Sequence, residues 1–242
     1  MNTVREQNMW LDLARYDTPT IANAIEAFGQ RPDSEGFCTE IGVRVVEQGR
    51  SIVGRAVTAT MRSRTAVSAN PTVLGALYEQ VYLAEDPTIV VVADLDDPPG
   101  LGAFLGEVQG TILLRLGAVG LVTNGSVRDL EQLRRLRFGA FAGNVTVSHA
   151  YAHLEEVGIP IEVAGLRVKP GDVLHADEHG VLSIPKEVVP KVAVVAAAVV
   201  AAEQDVLNWV RSPRFDHSAL LPRLGSIGST VAEAVRSLSA AS

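Results

Sequence analysis

Apolar and polar positions along this 242-residue chain alternate between short unbroken apolar runs and longer stretches with helical spacing. The run TIVVVADL, 88–95, lies between Pro87 and an acidic Asp94-Leu95-Asp96-Asp97 cluster, the pattern of a strand buried on both faces. The β-branched SIVGRAVTATM, 51–61, and the run 118–123 are predicted as further strands. Helices are predicted over 18–29, 72–84, 103–116, 129–136 and 186–210. In the first of these Thr18 stands as N-cap, Pro19 at the first helical position and Gly29 as the stop. Strand and helix alternate, which predicts an α/β architecture with at least one parallel sheet. A β-rich section follows over 159–185, with KPGD (Lys169–Asp172) a type II turn carrying Pro170 and Gly171 at its centre, and DEHG a further turn. No repeat, low-complexity linker or internal boundary interrupts the pattern. It reads as one domain over 1–210 with a C-terminal helical extension over 211–242.

Charge narrows the partners. A formal net charge of −7 and a pI near 5.3 argue against nucleic acid or an anionic membrane, both of which need basic patches. Only Lys169, Lys186 and Lys191 are lysines; the other basic residues are arginines, which grip carboxylates but form no Schiff base. Cys38 is the lone cysteine, so a disulfide within the chain and a cysteine-based zinc site are excluded and a reducing cytoplasm is the expectation. The N-terminal segment has scattered charge and lacks the apolar core of a signal peptide. The longest apolar run, 192–202, has 11 residues, well short of the ~20 that span a bilayer.

Chemistry concentrates in three places. In NGSVRD, Arg128 and Asp129 follow a strand and open a helix, where ligand sites of α/β sheets lie. A carboxylate there can hold a hard cation through one oxygen while the guanidinium grips a carboxylate or oxo group. It can equally be a helix cap beside a solvated arginine. In GLGAFLGEVQG, 100–110, glycines at 100, 102 and 106 let backbone N–H groups turn toward an anion, and Glu107 stands 22 residues before Asp129. Glu203 interrupts an apolar helix. His149 and His153 have zinc-like spacing, but without the Glu of HExxH or a third ligand. No nucleophile elbow, Walker A or dinucleotide fingerprint is present.

Together, GRAVTA at 54–59, Gly106-Glu107, NGSVRD and KPGDVLHADEHGVLSIP make the chain resemble the RraA-like superfamily (regulator of RNase E activity A-like) over roughly residues 10–205. Its site pattern is most similar to the class II 4-hydroxy-4-methyl-2-oxoglutarate/4-carboxy-4-hydroxy-2-oxoadipate aldolases. The resemblance implies a β/β/α swivelling-type sandwich in the α/β class and a homotrimer or hexamer with sites between subunits. It implies Mg²⁺ or Mn²⁺ on Asp129, Arg128 on the oxo group of a small 2-oxo acid, and a carboxylate cradle of Gly106, Glu107, Val108 and Gln109. Glu107 would order water, and Glu203 would come from a neighbouring subunit. The chain departs from the aldolase pattern at Asn124, where aldolases often carry Asp, at Glu107, where the best-matched ones carry Asp, and in the tail after 211.

The activity so implied is metal-dependent carbon–carbon cleavage of a 4-hydroxy-2-oxo acid to pyruvate, with oxaloacetate decarboxylation by the same chemistry. The scarcity of lysine agrees, since a Schiff-base aldolase needs one. Two other readings stand beside it: a non-catalytic regulator binding a protein such as RNase E, and an enzyme of this fold acting on a sugar acid.

Overall fold

The computed structural model describes residues 9–67 and 70–240. The first eight residues, on which the reading of the N-terminus partly rests, lie outside the described residues. Contacts divide the chain into two compact units: Met1–Thr18 with Gly36–Ile184, and Pro19–Glu35 with Pro185–Ser242.

The first unit is built on a nine-stranded sheet. Its path runs β1 (Val43–Val45), β6 (Gly139–Val145), β5 (Ala118–Val127), β3 (Thr88–Asp94), β2 (Ile52–Arg62), β10 (Val173–Asp177), β11 (Gly180–Ile184). Strand β4 (Ala103–Leu105) pairs with β5 and β7 (His153–Val157) with β2. The centre is parallel: β2 with β3, β3 with β5, β5 with β6. All seven residues of β3 are buried, as an unbroken apolar run between two covered faces requires.

Side-chain parity sorts the strands into two cores. Val57, Ala59 and Met61 of β2, with Val90 and Val92 of β3, face helices α2 (Pro71–Tyr82), α3 (Glu107–Leu116) and α4 (Leu130–Leu136), whose Leu77, Val81, Leu113 and Leu133 join the same cluster. The alternate residues Ala56, Ile89 and Val91 pack with Val122, Phe141 and the hairpin β8 (Ile161–Val163)–β9 (Leu166–Val168). The order of layers is therefore hairpin, sheet, helices: β/β/α, as expected from the resemblance. Asn70 caps α2 by accepting from Thr72 N–H at 3.1 Å, with Pro71 next in line. Gly171 takes φ 84° in the Lys169–Asp172 turn, closed by Asp172 N–H on the Lys169 carbonyl at 3.1 Å.

The second unit holds most of α1 (Thr18–Glu26), α5 (Val189–Val210) and α6 (Leu220–Ala240). Gly29, at φ 60°, donates to the Glu26 carbonyl and ends α1 as predicted. Helices α5 and α6 pack together, with the Arg223 guanidinium 5.3 Å from the Trp209 ring centroid and 3.2 Å from Asp205. Helix α5, at 22 residues, is long and apolar enough to cross a membrane by length and composition alone, which the 11-residue run did not anticipate. Its Val192, Val195, Ala196, Val199, Ala202 and Val206 are nonetheless buried within the protein, as in a globular helix.

Two expectations are corrected. Residues 103–105 form strand β4, not the first turn of a helix; the helix starts at Glu107. Helix α5 begins at Val189 rather than 186, with Pro190 in its first turn. The tail, expected to be helical but given no bounds, carries a second long helix, α6.

Candidate active site

Strand β5 delivers Arg128 and Asp129 to the C-terminal edge of the parallel sheet. Arg128 N–H donates to the Leu105 carbonyl at 3.0 Å, and Thr146 N–H to the Val127 carbonyl at 3.1 Å, so both neighbouring segments hold this strand end. Asp129 then takes φ 57°, ψ 44°, a left-handed conformation that Asp tolerates better than most residues, at a cost on the order of 1–3 kcal/mol. That turn carries its side chain away from its own helix. Asp129 makes no side-chain cap on α4; its Oδ2 instead accepts Glu107 N–H at 2.9 Å and so caps α3. Asp129 is thus a helix cap, but the helix capped is not the one that follows it in sequence, and its second oxygen is left over from that role.

Gly106 makes the approach possible. A β-carbon there would stand 2.5 Å from Asp129 Oδ2 and 3.1 Å from Arg128 Nε. Arg128 Nε lies 3.7 Å from Asp129 Oδ2, and both side chains are about a third exposed. Of the first-turn N–H groups of α3, that of Glu107 goes to Asp129 and that of Gly110 to the Gly106 carbonyl. The N–H groups of Val108 and Gln109 have no acceptor among the described residues. Two open donors at a helix N-terminus, beside a guanidinium, form a seat for an anion. The Glu107 side chain is exposed at its rim.

Asp129 Oδ1 takes no hydrogen bond from the described residues. No group of three or more His, Cys, Asp or Glu side chains among them is placed to hold a metal ion. The donor set is therefore one free carboxylate oxygen, which fits a hard cation that keeps water and substrate oxygens for its remaining positions. It does not fit a cage of protein ligands.

The sequence reading missed the support beneath the site. Asn124 accepts Asp94 N–H on Oδ1 at 2.8 Å and donates from Nδ2 to the Asp94 carbonyl at 3.0 Å. Asp94, 4% exposed, receives Gly100 N–H at 2.7 Å and Asp96 N–H at 3.0 Å. Burial pushes its carboxyl above the usual range despite those bonds. Asp96 is buried too, but Ser63 N–H, the Ser63 hydroxyl and Arg64 N–H converge on its Oδ2 and pull it below that range. These carboxylates fold the Asp94–Gly102 loop that leads into β4 and Gly106. A polar cluster after a strand was visible in the sequence; its long-range partners were not.

Gly106, Glu107, Val108, Gln109, Arg128 and Asp129 are brought together in the first unit. Glu203 lies in the second, on α5, where its Oε1 accepts from Asn23 Nδ2 at 3.4 Å. His149 is exposed and His153 half-buried, their Nδ1 atoms each 2.7 Å from a backbone carbonyl, of Ala150 and Tyr151. A cavity of about 450 Å³ lined by Val45, Glu47, Leu133, Arg134, Arg137 and Phe138 opens at the C-terminal end of α4, the opposite end from Asp129.

The RraA-like family model, described as Aldolase/RraA, matches residues 18–183. A 4-hydroxy-4-methyl-2-oxoglutarate aldolase from Thermus thermophilus is 36% identical over 85 residues, covering 35% of this chain and 52% of that protein. The chain thus spans about half the length of that curated relative. Among solved structures, an uncharacterized protein from Pseudomonas syringae superposes with a TM-score of 0.70 at 20% identity, over 91% of this chain and 94% of that one. Streptomyces coelicolor RraAS2, described as an unusual member of the RNase ES inhibitor RraA family, gives 0.60 at 20% identity over 84% and 96%. At these identities the structural likenesses establish the fold.

Proposed function

This chain belongs to the RraA-like family, and on that premise we propose that it is a divalent-metal-dependent carbon–carbon lyase releasing pyruvate from a 4-hydroxy-2-oxo acid. The observation that carries this reading is the Asp129 carboxylate, one oxygen fixed by Glu107 N–H and the other open, beside Arg128 and two unpaired helix N–H groups. The relative named as an aldolase supports it.

Asp129 Oδ1 would hold Mg²⁺ or Mn²⁺, which supplies Lewis-acid polarisation of the 2-oxo acid when bound. The open N–H groups of Val108 and Gln109 receive the substrate carboxylate. Arg128 donates to the 2-oxo oxygen and stabilises the negative charge that grows there as the C3–C4 bond breaks. The proton of the C4 hydroxyl leaves to a water ordered by Glu107, and C3 is reprotonated to give pyruvate. Oxaloacetate fits the same seat and loses carbon dioxide from the same carbon. In this reading Glu203 completes the site of a neighbouring copy in a trimer or hexamer. Its place agrees: Val200, Leu207 and Val210, each more than 40% exposed, share its stripe of α5 and leave an apolar face around the carboxylate.

The test is pyruvate release from a panel of 4-hydroxy-2-oxo acids and oxaloacetate, with Mg²⁺, with Mn²⁺ and with EDTA. Turnover that EDTA abolishes and Asp129→Ala lowers by at least 100-fold is expected. Wild-type rates from Asp129→Ala would overturn the role of that residue. No pyruvate from any substrate would favour the regulator reading, in which the acidic protein binds a protein partner.

A further inference from the structure

The seat at the head of α3 has two flanks. On one, Gly110 faces Leu133 of α4, and Asp129, the residue before α4, caps the first N–H. On the other, α3 packs against α2, and the Tyr78 phenol donates to Gln109 Oε1 at 2.5 Å. We infer that Tyr78 is a positioning residue: it locks the Gln109 carboxamide so that its two Nε2–H donors face a ligand bound across the α3 N-terminus, making Gln109 a determinant of substrate specificity. This inference rests on the proposed function and adds a residue pair to it.

Three observations support it. Tyr78 is partly buried against the helix-side core, so its ring is fixed by packing and not by the hydrogen bond alone. Burial also pushes its phenol above the usual range, which keeps it a hydrogen-bond donor at any working pH. A phenol that donates must meet the amide oxygen, and that leaves the NH₂ end of Gln109 as the free end. Nε2 has no acceptor among the described residues.

Gln109 is also one of the two residues whose backbone N–H is open, so main chain and side chain offer donors from one position. Asp129 and Arg128 stand at one flank of the helix head and the carboxamide at the other. The two flanks are separated by roughly the width of a helix, whose outer diameter is ~10 Å. A substrate with its first carboxylate on the open N–H groups and its 2-oxo oxygen toward Arg128 can extend its far end away from Arg128, toward the Gln109 carboxamide. Donors without an acceptor select for a group that only accepts. The complement is a second carboxylate on the substrate, which a methyl or methylene end cannot replace.

The experiment compares 4-hydroxy-2-oxoglutarate, which ends in a carboxylate, with 4-hydroxy-2-oxopentanoate, which ends in a methyl group. For Tyr78→Phe the ratio of kcat/KM between the two substrates is expected to fall about 5- to 20-fold, through KM of the dicarboxylate and with its kcat within about twofold. Gln109→Leu, which leaves Tyr78 in place, should lower the same ratio and serves if the Phe variant folds poorly. An unchanged ratio in both variants, or equal loss on both substrates, overturns the inference. A parallel arm titrates the inert 2-oxoglutarate and 2-oxobutyrate by calorimetry with Mg²⁺ present. If wild type binds 2-oxoglutarate but cleaves nothing, and Tyr78→Phe weakens that binding selectively, the lyase reading falls and the positioning role stands. If wild type binds neither, both fall.

Discussion

Asn124 shows how a residue's surroundings decide its meaning. In sequence it is a departure from the Asp of similar aldolases. In the structure both ends of its carboxamide bond the backbone of Asp94 and close β5 onto β3, where the β5–β6 register also shifts. A carboxylate cannot donate, so Asn124→Asp leaves the Asp94 carbonyl without its partner and sets an anion facing it. The expected loss is about 1–3 kcal/mol, read from the urea midpoint; a midpoint unchanged within error would contradict this role. Arg128 and Asp129 were legible as a candidate because strand, turn and charge sit within one local stretch. The cap that Asp129 makes was not, because its partner at Glu107 lies 22 residues upstream and depends on a left-handed turn. Nothing local pointed to Tyr78, whose value comes from one contact across two helices.

Among the elements, those with one dominant period were readable. Strand β3 announced itself through its unbroken apolar run, and α2 through its helical spacing, though its start at Pro71 was not marked. Strand β4 was not readable, since three residues carry no period and Ala103–Leu105 is a strand only because β5 lies alongside. Helix α6 was expected without bounds, which its spacing supplies: apolar residues at 224, 227, 231, 235 and 238 keep helical period through a stretch rich in Gly and Ser. The junction of α3 and α4 carries a prediction at this scale. Leu133 is fully buried against both helices' core, and a β-carbon on Gly110 would stand 2.8 Å from its Cδ2. Leu133→Ala is expected to cost about 2–5 kcal/mol. Gly110→Ala should be better tolerated in that background than alone, a coupling of about 0.5–3 kcal/mol in a double-mutant cycle. Strict additivity would mean the two helices do not meet at this point.

For the whole molecule, the α/β class and the layer order followed from patterning and resemblance, while the division into two units did not. The second unit joins residues 19–35 to residues 185–242, and no shift in local composition marks a grouping of segments so far apart in sequence. The behaviour of the protein toward acid follows from the first unit. His175 is fully buried, its Nε2 3.2 Å from the Leu13 carbonyl and its Nδ1 2.9 Å from the Thr18 hydroxyl. Burial holds this imidazole below its ordinary range although Leu13, Asp177 and Asp17 pull the other way. The unfolded imidazole gains a proton near pH 6.5, which the native one refuses, so stability falls as pH drops below about 6.5, by up to ~1.4 kcal/mol per pH unit. Asp177 is also buried, but Thr18 and His179 N–H bonds hold its carboxyl low, so its contribution is constant in that window and is lost only in stronger acid. Urea unfolding between pH 7 and 5 should show the slope in wild type and a flatter one in His175→Gln; equal slopes would assign the acid sensitivity elsewhere.

If Asp129 holds the proposed cation while capping α3, one peptide group becomes a sensor of it. Any cation that draws charge toward Oδ1 weakens the acceptor that Glu107 N–H sees at Oδ2. In an amide proton spectrum the Glu107 cross-peak should therefore move upfield and exchange faster with solvent as Mg²⁺ is added, with no substrate and no turnover. Asp129→Asn, whose neutral amide is a poor cation ligand, should silence that titration while the rest of the spectrum stays in place. An unmoved Glu107 peak at saturating Mg²⁺ would place the cation away from this carboxylate.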